Sequence, residues 1–152
     1  MVAYTTIVAY IHSMFERCLY FNINALTRAV NRIWDEAFAE FDLSPAHAYL
    51  IRLVLDSPGL SPRQISQELK LEKSTITRFL DALEKKRLLL RKPSSSGDAR
   101  EQSIYPSKKA EKISARLEEK GNQLYQTMTS SIGKKNLTSL VGELRKIETS
   151  LK

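Results

Sequence analysis

The chain has one cysteine, Cys18, in 152 residues. No intrachain disulfide can form, which suits a reducing compartment. Glycine is scarce, at five residues, and none of the glycine motifs that cradle phosphates occurs. There are two histidines, His12 and His47. His12 and Glu16 share a helix face at i, i+4, but two groups fall short of a metal site. His47 is expected to pack or to help cap its helix. Neither H-E-x-x-H nor G-x-S-x-G is present. No enzyme chemistry, no cofactor and no metal is expected. No run of about 18 apolar residues could span a membrane. The opening MVAYTTIVAY lacks a basic leader and runs into Glu16 and Arg17, so no signal peptide is expected either. A cytoplasmic protein with no membrane partner is the expectation.

Charge is plentiful and uneven. The net charge is +7. Residues 1–60 hold four Lys/Arg and six Asp/Glu, residues 61–109 twelve and six, and residues 110–152 eight and five. The basic excess therefore concentrates in the middle third. A local excess of this kind points to a polyanion, with nucleic acid ahead of an anionic membrane surface.

The length suits one domain with long helical extensions, and burial of roughly two thirds of the unfolded surface needs no covalent staple. The pattern is mainly helical with one hairpin. From about 5 to 41 apolar residues recur at three- and four-residue steps: Ile11, Phe15, Cys18, Leu26, Val30, Ile33, Ala37, Phe41. This predicts one long amphipathic helix or two in series. In "LSPAHAYLIRLVL" Ser44 is a natural N-cap and Pro45 fits the first turn. "DSPG" at 56–59 ends that helix. "LSPRQISQEL" repeats the entry signal, with Ser61 as cap, Gln64 placed for a capping box, and Leu60 and Ile65 at the staple positions. A turn at about 70–73 leads to a second helix carrying "STITRFLDALEKK".

Residues 88–105 predict a β-hairpin, with Leu88 and Leu90 facing one way, Ile104 on the return strand, and a turn from Pro93 to Gly97. Ser107 caps a long helix with Ala110, Ile113, Leu117, Leu124 and Met128 at helical spacing. Leu137, Leu140, Leu144, Ile147 and Leu151 then form a two-heptad seam. Long apolar stripes at both ends exceed what a small middle unit can cover. They fold on each other within the chain or, the preferred reading, bury against a second copy.

Two helices joined by a turn and followed by a basic hairpin form the layout of a winged helix-turn-helix, whose second helix enters the DNA major groove. At 100° per residue from Ile76, Phe79, Leu80 and Leu83 fall within about 60°, a core stripe. Ser74, Thr77, Arg78, Asp81 and Lys85 fall opposite, between about 100° and 200°. With Thr75 on the flank, this face offers hydroxyls for phosphates and an Arg able to fork onto guanine. The plainer alternative is a solvated face with an Arg78–Asp81 pair. The following "KKRLLLRKPSSSGDAR" places Lys85, Lys86, Arg87, Arg91 and Lys92 to neutralise phosphates. Arg100 is the residue expected in a minor groove. Asp98 is expected to accept hydrogen bonds from Arg100 or from turn N–H groups, holding the wing in shape.

From about Cys18 onward the chain resembles the MarR (multiple antibiotic resistance regulator) family. "LEKSTITRFLDALEKKRLLLRKP" resembles that family's recognition helix running into its wing, and Asp98–Arg100, "DAR", matches its D-x-R wing motif. "FDLSPAHAYLIRLV" and "LSPRQISQELKLEKS" match the lead-in. The resemblance implies a homodimer whose interface is built from both chain ends, two winged units on a pseudo-palindrome, and a small-molecule or redox signal felt between the dimer helices and the DNA-binding units. Arg87 stands where the family often has Gly. Pro106-Ser107 and Ala110 replace its usual Leu-Thr and Gly, keeping the cap but removing a strand donor.

Cys18 beside Arg17 could act as a thiol sensor. Aligned on "LSP", however, the reactive cysteine of the family's hydroperoxide-sensing branch falls at Leu26, about 12 Å further along a helix. A buried, inert thiol is the better expectation. The reading is thus a single unit over 1–152: dimerisation helices at 5–41 and 107–152 around a winged helix-turn-helix at 44–105. Its expected role is a transcriptional repressor on double-stranded DNA. The rival is a winged-helix interaction module with an acidic protein partner and only non-specific nucleic-acid binding. RNA is a weaker rival, because the recognition face has no aromatic platforms.

Overall fold

A computed structural model describes residues 14–93 and 102–151 of the chain. In order, its elements are α1 (Leu19–Ala39), α2 (Pro45–Asp56), α3 (Pro62–Leu69), α4 (Lys73–Lys85), β1 (Leu89–Pro93), β2 (Gln102–Pro106), α5 (Lys108–Ile132) and α6 (Lys134–Ser150). The protein is mainly helical with one antiparallel hairpin, as the sequence predicts. It divides into two compact units, Met1–Pro45 and Ala46–Lys152.

In the first unit a helical turn at 14–17 stops at Cys18, whose extended backbone (φ −83°, ψ 110°) breaks the helix before α1. Of the two expectations for this region, two helices in series is the one observed; residues 5–13 lie outside the described part. The Asn22 amide spans the break, donating to the Phe15 and Cys18 carbonyls at 2.9 Å each and to that of Glu16 at 3.1 Å. The amide's two N–H donors are shared among the three carbonyls. Phe38 is the one buried residue of α1. Tyr20, Phe21, Leu26 and Ile33 are exposed.

The second unit opens with α2, and Leu50, Ile51 and Val54 are buried on it. At the turn that follows, Gly59 has φ +92°, and a Cβ there would meet the Tyr105 hydroxyl at 3.2 Å. Gly is required by both its backbone angle and this close approach. The α3 entry forms as predicted. The Ser61 hydroxyl accepts from the Gln64 N–H at 3.3 Å, and the Gln64 side chain accepts from the Ser61 N–H at 2.8 Å. On α4, Ile76, Leu80 and Leu83 are buried. Phe79 is half-buried, its ring centroid 4.7 Å from that of His47.

With few glycines, the chain ends three helices on left-handed residues of other types: Asp42 (φ 55°), Lys70 (φ 53°) and Arg87 (φ 57°). Each carries the paired hydrogen bonds of a Schellman cap. After α4 these run from Leu88 N–H to the Leu83 carbonyl (2.9 Å) and from Arg87 N–H to the Glu84 carbonyl (2.8 Å). The same pattern joins Leu71 to Ser66 and Lys70 to Gln67, and Leu43 to Phe38 and Asp42 to Ala39.

The cap after α4 corrects the predicted hairpin phase. Leu88 belongs to the cap, and β1 starts at Leu89. Leu88 and Leu89 are both buried, whereas Leu90 is 45% exposed. β1 and β2 pair in the register Leu89–Pro106, Leu90–Tyr105, Arg91–Ile104. Leu60 adds a further bridge to Ile104, with Ile104 N–H donating to the Leu60 carbonyl at 2.9 Å. β2 ends at Pro106, whose missing donor suits a strand terminus. α5 buries Ala110, Leu117 and Leu124 and stops at Gly133 (φ 80°). α6 buries none of its residues, leaving Leu140, Val141 and Leu144 exposed.

Candidate nucleic-acid interface

The second unit presents α4 with one face buried and the other open. Ser74, Thr77, Arg78, Asp81 and Lys85 are exposed together, and Thr75 on the flank is half-buried. The 3.6-residue period dictates this split: the residues that fill the core fix which residues remain outside. Thr77 donates its hydroxyl to the Lys73 carbonyl at 3.0 Å. This is a local back-bond that leaves the oxygen's lone pairs facing outward.

What holds α4 in place is polar as well as apolar. The turn before it is tied by the Ser66 hydroxyl, which donates to the Leu71 carbonyl at 2.6 Å. Lys70, at the left-handed corner, reaches Glu148 of α6 at 2.6 Å. α2 is joined to α5 by a two-pronged ion pair, Arg52 Nε to Glu118 Oε1 at 2.6 Å and Arg52 Nη2 to Glu118 Oε2 at 2.8 Å. The hydrogen bond from Arg52 holds the Glu118 carboxyl below its usual range, and the same bond raises the Arg52 guanidinium. Gly121 makes room for this pair, since a Cβ there would stand 2.8 Å from Arg52 Nη1.

The basic stretch after α4 is distributed in three ways. Lys85 and Arg87 are exposed and Lys86 is half-buried. The Lys86 carbonyl accepts from Lys109 Nζ at 3.1 Å. On β1, Lys92 Nζ lies 4.6 Å from the centre of the Tyr105 ring. Arg91 turns back onto α4, where it donates to Asp81 and lies 3.6 Å from Glu84. Asp98 and Arg100 lie outside the described residues. Cys18 is half-buried at the helix break of the first unit.

The sequence reading missed the partners of Arg91 and Lys92. It weighed Asp81 against Arg78 on the same helix, but Asp81 meets Arg91 across the strand. The strand's register and starting residue decide that pairing, and a hairpin phase displaced by one residue hides it. Burial pushes the His47 imidazole down, and the nearby Lys86 charge adds to the effect. Among the described residues there is no cluster of metal-ligating groups, and no helix is long and apolar enough to cross a membrane.

A sequence model described as "MarR family" matches residues 41–101. No curated protein matches the chain. Solved structures are similar in fold. The PcaV transcriptional regulator from Streptomyces coelicolor, solved with its natural ligand, is 18% identical with a TM-score of 0.80, over 90% of this chain and 96% of that one. The S. aureus MepR–DNA complex is 18% identical with a TM-score of 0.79, over 89% and 98%. The transcriptional repressor CouR, bound to a 23-mer DNA duplex, is 23% identical with a TM-score of 0.79, over 88% and 94%.

Proposed function

We propose that this chain, whose residues 41–101 match a MarR family model, is a winged helix-turn-helix transcriptional regulator that binds double-stranded DNA sequence-specifically. The observation that carries the reading is the open face of α4. Ser74, Thr77, Arg78 and Lys85 stand exposed opposite the buried Ile76, Leu80 and Leu83, with a basic hairpin following. Arg78 reads a base edge in the major groove. Ser74 and Thr75 position the helix on phosphates, Thr77 joins them when its hydroxyl turns from the Lys73 carbonyl, and Lys85 and Lys92 add charge. Arg100 reaches the minor groove from the wing, with Asp98 shaping the wing tip. Two structures of similar fold, those of MepR and CouR, were solved with DNA, which supports the assignment.

The regulator acts as a homodimer, with residues 5–41 and 107–152 forming the interface around the DNA-binding region at 44–105. Exposed Phe21, Leu26 and Ile33 on α1, and exposed Leu140, Val141 and Leu144 on α6, support this. Apolar area of this extent is rarely left to water. The protein is a cytoplasmic repressor released by a small-molecule or redox signal. An open apolar cleft of about 460 Å³ between α5 and α6, with Tyr125, Met128 and Leu137 in its wall, offers one place for such a ligand.

Selection of random duplex DNA by the purified protein at physiological salt tests the proposal. Enrichment of an inverted repeat with half-sites about one helical turn apart is the expected result. Retention without a consensus would overturn sequence-specific regulation and favour an acidic protein partner.

A further inference from the structure

Arg91 sits in the middle of β1, opposite Ile104 of β2. Its side chain does not extend along the wing with its neighbour Lys92. It folds back to α4, where the guanidinium donates to Asp81 and lies 3.6 Å from Glu84. Its side chain is 24% exposed, against 58% for Asp81 and 45% for Glu84. Asp81 and Glu84 are one helical turn apart, so they present two carboxylates on the flank of α4 toward the strand. A guanidinium is planar with five donors in a fixed fork, so it can engage both and set an angle, which a lysine ammonium cannot.

We propose that Arg91 is a positioning residue that fixes the wing's direction relative to the recognition helix, rather than a phosphate contact. This rests on the DNA-binding reading given above. Charge accounting supports it. One guanidinium faces two carboxylates, so Arg91 with its own partners sums to negative, and a phosphate approaching Arg91 would also approach Asp81 and Glu84. The favourable attraction that Arg91 alone would offer a phosphate is thereby cancelled. The neighbouring stem cation behaves differently. Lys92 rests on the Tyr105 ring, and a cation on an aromatic face keeps its other side open to a phosphate.

A surface ion pair contributes little to global stability. The consequence of this clamp is therefore directional. β1 contacts α4 through the buried Leu89, and it is also paired along its length with β2, which the Leu60–Ile104 bridge ties down. Hydrophobic contact is non-directional. The hydrogen bond from Arg91 to Asp81, with the Glu84 carboxylate 3.6 Å away, adds a directional contact between β1 and α4 that neither Leu89 nor the pairing with β2 supplies.

The test compares Arg91→Met, the pair Asp81→Asn with Glu84→Gln, and all three together, with Lys92→Met as the phosphate-contact control. Operator affinity is measured across a salt series on the DNA that the wild-type protein selects. Arg91→Met is expected to weaken binding about tenfold with the salt slope unchanged. The acid-neutralised variant weakens binding comparably, and the triple variant is no worse than either. Lys92→Met lowers the slope by about one per protomer. A slope lowered by Arg91→Met, or tighter binding on neutralising Asp81 and Glu84, would overturn the proposal and make Arg91 a phosphate contact. Amide hydrogen exchange of Leu89–Pro93 in the DNA-free protein gives a second readout. Arg91→Met is expected to speed it, and unchanged exchange would overturn the clamp. Should the wild type fail to prefer duplex DNA, the functional reading falls, while the exchange experiment still decides the clamp.

Discussion

The Ser107 hydroxyl bridges to Arg87, donating to its carbonyl at 2.7 Å while accepting from the Ala110 N–H at 3.2 Å. One buried side chain thus caps α5 and secures the left-handed corner after α4. The Ser107 N–H also donates to the Leu88 carbonyl at 3.0 Å. The α4 helix, the hairpin and α5 meet at this residue.

Replacing Ser107 with Ala removes the N-cap and leaves the Arg87 carbonyl without this donor. A loss of about 1–2 kcal/mol is expected. Urea unfolding checks it, with Ser107→Thr as the variant that keeps the hydroxyl and most of the stability. Equal losses for Ala and Thr would assign the cost to packing rather than to the cap.

Arg87 adopts φ 57°. An L-residue pays about 1–2 kcal/mol there, and glycine avoids this at an entropic cost of about 0.5–1 kcal/mol. Arg87→Gly is therefore expected to raise stability by about 0.5–1 kcal/mol, seen as a higher denaturant midpoint at unchanged m-value. A lower midpoint would mean that the Arg87 side chain stabilises the fold by more than its backbone costs.

Burial, with Lys86 nearby, lowers the His47 pKa, so the folded protein binds this proton less readily than the unfolded chain does. The sign follows: stability is intact above about pH 6.5, the ordinary imidazole value, and falls as pH drops through the depressed folded value. The thermal midpoint should decline between about pH 6.5 and 5, before the carboxylates titrate. His47→Gln should flatten that decline. Parallel curves for variant and wild type would place the acid sensitivity elsewhere.

Periodicity and caps were enough to predict α3, the α4 core stripe of Ile76, Leu80 and Leu83, and the Ser107 cap. Each is set by residues within one or two turns of one another. The open face of α4 followed from the same arithmetic. The sequence does not place the helix break at Cys18, because Asn22, which ties it, carries no strong local signal. The hairpin phase failed at Leu88 because a cap ending on Arg87 lacks the glycine that usually marks it. The partners of Arg91, and the Arg52–Glu118 pair 66 residues apart, depend on how elements pack. No local pattern specifies that.

The Arg52–Glu118 pair and Gly121 form a coupled set, because a Cβ at 121 would meet the Arg52 guanidinium at 2.8 Å. In an Arg52→Ala background, Gly121→Ala should stabilise α5 by up to about 1 kcal/mol through helix propensity alone. With Arg52 present the gain should shrink or reverse. Chemical denaturation of the four proteins measures the difference. Additive effects would show that Arg52 moves aside freely.

Arg78 distinguishes base reading from charge. It is exposed on the face opposite the buried stripe of α4. A bidentate contact to guanine is worth about 1–3 kcal/mol of discrimination against the wrong base, whereas a phosphate contact weakens all sequences alike. Arg78→Ala is expected to lose affinity for the selected operator while its binding to unrelated duplex changes little, so the specificity ratio falls about ten- to a hundredfold. For the proposed dimer, with about ten phosphates neutralised, the wild-type slope of log affinity against log salt should be near −9. The variant should keep that slope if Arg78 reads a base. A slope shallower by about two, one contact per protomer, with no loss of specificity would assign Arg78 to the backbone. The reading of sequence would then pass to Ser74, Thr77 and the wing.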